Sequence, residues 1–248
     1  MRNVMLRSCI ILFSVSLIIS GCTKKPSNYF RHITINGRNE IIGKYPIPDE
    51  MAPAINCYHF IYDDKNRITG IEYLKNNKLR QDDYFGVEKI KIEYSEDGEK
   101  RLFLSRKDKP KLNKDNVASM RIAYNEDGFP ISITNYNKVG TITIDNDSAA
   151  AYSITPDKNG YKIKALRLQK NMKRYIEDEK PYEVRWKYND EGHIEEESYF
   201  DKFGLPAENE NYIASIAYTY DEQGNITEER YFGKDHQSHC PVFCSLAF

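Results

Sequence analysis

His236, His239, Cys240 and Cys244 stand close together near the end of the chain and carry the kinds of side chain that bind zinc. Structural zinc sites usually take their ligands from paired Cys-x2-Cys or His-x3-His spacings on a defined turn. Neither spacing is well matched here, so no metal site is expected and the cysteines read as free or locally paired thiols. Glu195-Glu196-Glu197 and Glu228-Glu229 are the next candidates, as the two carboxylates of general acid and base chemistry. Adjacent residues on a strand point to opposite faces, and the two groups lie in different parts of the chain with nothing to fix their geometry. They read as a solvated strand face. Asp-rich and Asn-rich turns could suggest calcium, but none follows an EF-hand or a Gly-rich nonapeptide pattern. There is no Gly-x-Ser-x-Gly, no phosphate-cradling Gly loop and no His-Glu-x-x-His. A chain without a catalytic constellation is expected to be non-enzymatic and to use no cofactor.

Cys22 carries a different chemistry. Arg2 and Arg7 precede an apolar run from Cys9 to Ile19, which closes in Leu17-Ile18-Ile19-Ser20-Gly21-Cys22. A run of about a dozen apolar residues suits a secretion signal, whereas a spanning helix needs about 20. The closing string resembles the lipobox of bacterial lipoproteins. That resemblance implies removal of residues 1–21 and acylation of Cys22, with several chains each contributing about 0.8 kcal/mol per buried methylene to membrane attachment. In that family an Asp after the Cys tends to retain the protein at the inner membrane. Thr23 stands there, so the resemblance points to the outer membrane, facing the periplasm or the surface. Thr23 to Asn28 have no periodic apolar residues and read as a solvated tether.

Without residues 1–21 the chain carries 34 basic and 37 acidic residues, evenly mixed, and so offers no basic face for nucleic acid. Nineteen Tyr and eleven Phe beside one Trp, with many β-branched residues, lean toward strands. Cys57, Cys240 and Cys244 remain besides Cys22. An oxidising compartment permits one disulfide among them and leaves one thiol over, with the pairing open.

An internal repeat decides the fold. A turn signature starts at Tyr62, Tyr94, Tyr124, Pro156, Tyr188 and Tyr220, at intervals of 32, 30, 32, 32 and 32 residues. It reads Asp, Asn or Ser first, then polar residues, then Gly or Asn. The first side chain can accept from the backbone two residues on, and the last can adopt the left-handed conformation of a type I turn with a bulge. Before each turn the residues alternate, as in Ile90/Ile92/Tyr94 and Val184/Trp186/Tyr188 against Lys91/Glu93 and Arg185/Lys187. That is the period of a strand with one apolar and one wet face. The fold expected is all-β: an array of about six antiparallel hairpins in one extended or curved sheet, over residues 55–234. Residues 22–54 would hold the tether and a capping hairpin turning at Asn36-Gly37, with Tyr45-Pro46-Ile47-Pro48 an extended connector, and residues 235–248 a tail. The Tyr ladder is open between packing of stacked hairpins and an exposed aromatic strip.

The string at 220–226, Tyr-Asp-Glu-Gln-Gly-Asn-Ile, and its five relatives resemble the YD-type repeats of bacterial surface and secreted proteins, which include RHS repeats. The units here are longer than RHS units, so a toxin-delivery role is not implied. The expected function is a non-enzymatic, membrane-anchored envelope lipoprotein whose repeat sheet binds a protein or glycan partner. An immunity or inhibitor lipoprotein acting against a toxin in the periplasm is the alternative, and a glycan-active hydrolase the next. Replacing Cys22→Ala is expected to leave an unprocessed or mislocalised form, read by metabolic labelling with a fatty acid; normal acylation of the variant would remove the lipoprotein reading.

Overall fold

A computed structural model describes residues 27–173 and 181–239. Cys22, Cys240 and Cys244 lie outside them. The strands are β1 (Tyr29–Ile35), β2 (Ile41–Ile47), β3 (Cys57–Tyr62), β4 (Ile68–Lys75), β5 (Lys78–Leu79), β6 (Lys89–Ser95), β7 (Gly98–Leu104), β8 (Ser119–Tyr124), β9 (Pro130–Tyr136), β10 (Ala151–Pro156), β11 (Lys162–Leu168), β12 (Glu183–Tyr188), β13 (Ile194–Phe200), β14 (Ser215–Tyr220), β15 (Ile226–Phe232) and β16 (Ser238–His239). They form one antiparallel sheet in which β3/β4, β6/β7, β8/β9, β10/β11, β12/β13 and β14/β15 are the six hairpins of the repeat. The protein is all-β, with a single short 3-10 turn at Ala52–Ala54 among the described residues.

The turns close as their side chains dictate. Asp157 Oδ1 accepts from the amides of Asn159 and Tyr161, each at 2.8 Å, and Asn189 and Asp221 repeat the arrangement one and two units later. The fourth residue is left-handed, as at Asn66, Gly128, Gly160, Gly192 and Gly224. The far ends of the hairpins hold a second set of turns, the reversal between hairpins that polar stretches such as Asp201-Lys202-Phe203-Gly204-Leu205-Pro206 lead one to expect from the sequence. Amides at Asp108, Gly140, Met172, Gly204 and His236 bond back to carbonyls at Ser105, Asn137, Gln169, Asp201 and Gly233, again every 32 residues. All five donors are left-handed, yet they are five positions with four residue types, which leaves little compositional trace.

Neighbouring hairpins are joined by the tyrosines that start the turns. The hydroxyls of Tyr94, Tyr188 and Tyr220 donate to the carbonyls of Ile68, Lys162 and Ile194, in each case 26 residues earlier, at 2.7 to 2.9 Å. Tyr188 stacks on Tyr161 and Tyr220 on His193, while the Arg67 guanidinium lies over Tyr94. These aromatic residues thus serve packing between hairpins.

The N-terminal hairpin does more than extend the sheet edge. β1 pairs with β3 only at Tyr29 and Phe30, then leaves it. Ile33 and Ile41 enter one core with Phe60, Ile71, Ile90, Ile92 and Phe103 on the inner face of β3 to β7, where each fully buried side chain contributes about 2 kcal/mol. At the hairpin tip, the Lys162 amide donates to the Gly37 carbonyl at 2.8 Å. The Tyr45 hydroxyl donates to Asn225 Oδ1 at 2.6 Å. β2 and β14 stand twelve strand steps apart in the sheet order, which in a flat sheet would be roughly 58 Å. The sheet therefore curls around the hairpin. Tyr45-Pro46-Ile47, expected as a connector, continues β2: Pro46 lies opposite Phe30, tolerated because β2 is an edge strand and no ladder partner needs its missing donor.

Hairpin β6/β7 departs from the others. Ser95 pairs directly with Gly98, without the register shift seen elsewhere, and the crossing to β8 is tight: a Cβ on Gly98 would stand 2.0 Å from the Ile122 carbonyl oxygen. At Gly128 a Cβ would meet nothing within 4 Å, and only its left-handed φ of 79° resists a side chain. Gly128→Ala should cost about 1–2 kcal/mol, whereas Gly98→Ala should cost clearly more because backbone must move. Urea unfolding midpoints compare the two, and equal losses would argue against this register.

Candidate functional site

The repeat offsets its own faces. At the turn end of β10/β11, Thr155 pairs with Lys164 and Pro156 with Lys162, leaving Ile163 as an extra residue. The same shift occurs in β3/β4, β8/β9, β12/β13 and β14/β15. A bulged residue carries the chain past one alternation, so the inner face of β11 is formed by Lys162, Ala165 and Arg167. On β13 the same rule brings Glu197 and Tyr199 inward beside Val184 and Trp186 of β12.

The N-terminal hairpin covers the inner face of the early strands and leaves that of β10 to β13 open. A cavity of about 320 Å³ lies there, walled by Tyr152, Lys162, Arg167, Trp186, Glu197 and Tyr199. Asp147, from the turn at 145–148, and Asn209, Glu210 and Asn211, from the turn at 209–212, complete its lining. It adjoins a second space of about 310 Å³ beside the hairpin tip, with Ile133, Asp147 and Tyr152 common to both. Together they make a groove of a size suited to a small ligand.

Its electrostatics are uneven. Glu197 accepts from Trp186 Nε1 at 2.8 Å and from the Tyr199 hydroxyl at 2.5 Å, so both of its oxygens are engaged. The Tyr152 hydroxyl donates to Asp145 at 2.7 Å. Burial, then the nearby carboxylates, push the Tyr152 and Tyr199 phenols far above their ordinary pKa, which keeps both as neutral donors. Burial also raises Asp145. The cations are less well matched. Lys162 lies with its Nζ 4.6 Å from the Trp186 ring centroid, and burial pulls its pKa down against the opposing field of Glu197. Arg167 is only 5% exposed. Its Nη1 donates to the Asp147 carbonyl at a long 3.4 Å, its Nη2 is 3.7 Å from the Asp147 carboxylate, and its Nε has no hydrogen-bond partner among the described residues. An unsatisfied buried donor costs about 1–3 kcal/mol.

A contrasting buried ion pair shows what satisfaction looks like. Arg101 donates through Nε to Glu99 at 2.5 Å and through Nη2 to the Asn39 carbonyl at 2.5 Å, tying β7 to the hairpin tip.

The residues singled out by sequence are dispersed. His236 sits at a far-end turn, His239 falls in β16, and their neighbours Cys240 and Cys244 are outside the described residues. Cys57 is buried under the Ala52 carbonyl, and burial raises its thiol pKa. No group of three His, Cys, Asp or Glu residues suited to a metal occurs among the described residues. The glutamate run splits as strand alternation requires: Glu196 bonds Lys187 on the outer face, whereas Glu197 turns into the groove and is no part of a solvated face. Glu228 is paired at the surface with Arg230, and Glu229 accepts from the Tyr231 hydroxyl. Lys162, Arg167 and Glu197 were missed as a group because the bulge moves them out of strict alternation.

No protein-family profile matches this chain, and no curated protein matches it. Solved structures that share part of its course include the following three. One is the Tc holotoxin pore of Photorhabdus luminescens, at 9% identity over 72% of this chain and 10% of that one, with a TM-score of 0.28. Another is a TcdB2–TccC3 structure, at 13% identity over 71% and 9%, TM-score 0.27. The third is a porin-like protein from Bacteroides uniformis ATCC 8492, at 10% identity over 74% and 86%, TM-score 0.31. This chain spans about a tenth of the two toxin chains. Superpositions as loose as these carry no argument about ligand or role.

The depressed pKa of Lys162 gives a signed expectation. Between that value and the ordinary 10.5, the unfolded chain binds a proton that the folded chain has released, so folding gains stability as pH rises through the interval. Urea midpoints of the native chain should rise relative to those of Lys162→Met as pH approaches 10.5 from below. A constant difference would mean that the ammonium is solvated.

Proposed function

We propose that this chain is a binding module of the bacterial envelope, held on a membrane by lipid at Cys22 and taking up a partner, protein or glycan, in the groove between β10 and β13. The observation that carries the reading is Arg167: a nearly fully buried guanidinium that borders a cavity and keeps one donor unpaired among the described residues. A folded chain retains such a group at a cost, and a ligand that completes its hydrogen bonds recovers it.

Binding rather than turnover suits the same geometry. Glu197 has both oxygens committed to Trp186 and Tyr199, which fixes the aromatic walls. The rigid, hydrogen-bonded sheet supplies a preorganised surface, and the solvated tether from Thr23 lets it stand clear of the bilayer. Non-enzymatic action at the outer membrane, facing the periplasm or the surface, completes the proposal. The test is cross-linking in intact cells, followed by recovery of the lipidated protein and identification of whatever accompanies it. Trp186→Ala should reduce capture about tenfold, since buried aromatic anchors typically contribute 1–3 kcal/mol or more. Capture unchanged by that substitution would place the partner elsewhere and end the groove reading.

A further inference from the structure

We infer that the ligand of this groove is a saccharide carrying a carboxylate, an inference that rests on the binding-module reading above. Three features of the groove converge on that class. First, Lys162 and Arg167 project from the same face of β11 toward one cavity, and neither makes a hydrogen bond to a side chain within 3.5 Å among the described residues. Two such cations suit an anionic group, which a guanidinium can receive in its planar fork. Second, the fixed carboxylate of Glu197 and the more exposed one of Asp147 line the same cavity. With Glu210 at the exposed edge they outnumber the two cations, so the Lys162–Arg167 pair accommodates a singly charged carboxylate where a phosphate dianion would meet net repulsion.

The third feature is the wall and rim. Trp186, Tyr152 and Tyr199 supply aromatic surface, and both tyrosine hydroxyls already spend their protons on carboxylates. The Tyr152 oxygen is left as an acceptor for a ligand hydroxyl, while the Tyr199 oxygen already receives the Asn209 amide. Asn209 and Asn211, from the turn at 209–212, add amide groups two residues apart at the edge. Such a mixture of ring faces, neutral acceptors and amides matches the alternating C–H faces and hydroxyls of a sugar ring. A cavity of about 320 Å³ holds a unit of that size.

The chain has one tryptophan, Trp186, so emission excited on the red edge, where its nineteen tyrosines do not absorb, reports on this groove alone. The full lipidated protein, in zwitterionic detergent free of sugar headgroups, would be titrated with galacturonate, galactose, acetate and glucose 6-phosphate. The expected result is a saturable change with galacturonate, binding at least about tenfold tighter than galactose or acetate and weakened about tenfold in Lys162→Met, the usual effect of one charged hydrogen bond. Equal binding of galactose and galacturonate would overturn the carboxylate assignment, as would preference for the phosphate or indifference to Lys162→Met. If no saccharide moves the emission while cellular capture still depends on Trp186, the saccharide inference fails and the binding module stands. If capture does not depend on Trp186, both fail.

Discussion

The single extra residue beside each tight turn is the constraint on which the rest of the structure depends. A type I turn closed by a left-handed fourth residue leaves two residues opposing one, and that mismatch is repeated in five of the six hairpins. Each bulge adds right-handed twist, and hairpin after hairpin the twist accumulates in one direction. The same offset decides which side chains of the returning strands meet the interior. Curvature and groove chemistry are two outcomes of one local event.

The curled sheet has one interior but two kinds of filling. The N-terminal hairpin closes the first half with Ile33 and Ile41, and the core there is dense and apolar. Beyond its tip the filling is sparse. The later cluster of Val184, Tyr199 and Ile213 is small, and polar groups stand among its neighbours. The length of the first hairpin therefore sets where packing ends and the cavity begins. Seven residues in each of β1 and β2 reach as far as the turns of β10 to β12 at the tip, and no farther inward.

The architecture was legible in the sequence because it rests on local chemistry. Asp157, Asn189 and Asp221 each specify a turn by themselves, and alternation such as Val184/Trp186/Tyr188 specifies the strand before it. The far-end turns were legible only as polar reversals such as 201–206, without a recurring signature, because their left-handed positions are held by Asp108, Gly140, Met172, Gly204 and His236, four residue types in five positions. The groove was hidden for another reason. Its membership depends on the bulge at Ile163, which breaks strict alternation, and on contacts across the curl that have no local signature. Tyr45 is the extreme case: nothing around it in the chain foretells a partner 180 residues away.

That contact sets this array apart from open repeat proteins, in which each unit touches only its neighbours and units can be gained or lost at little penalty. Here the first hairpin acts as a gauge. Its tip meets the β10 to β12 region and its Tyr45 meets the last tight turn, so inserting or deleting one 32-residue unit would carry both partners out of reach. The number of repeats is thereby fixed by geometry, and the ends of the array must melt together instead of fraying one hairpin at a time.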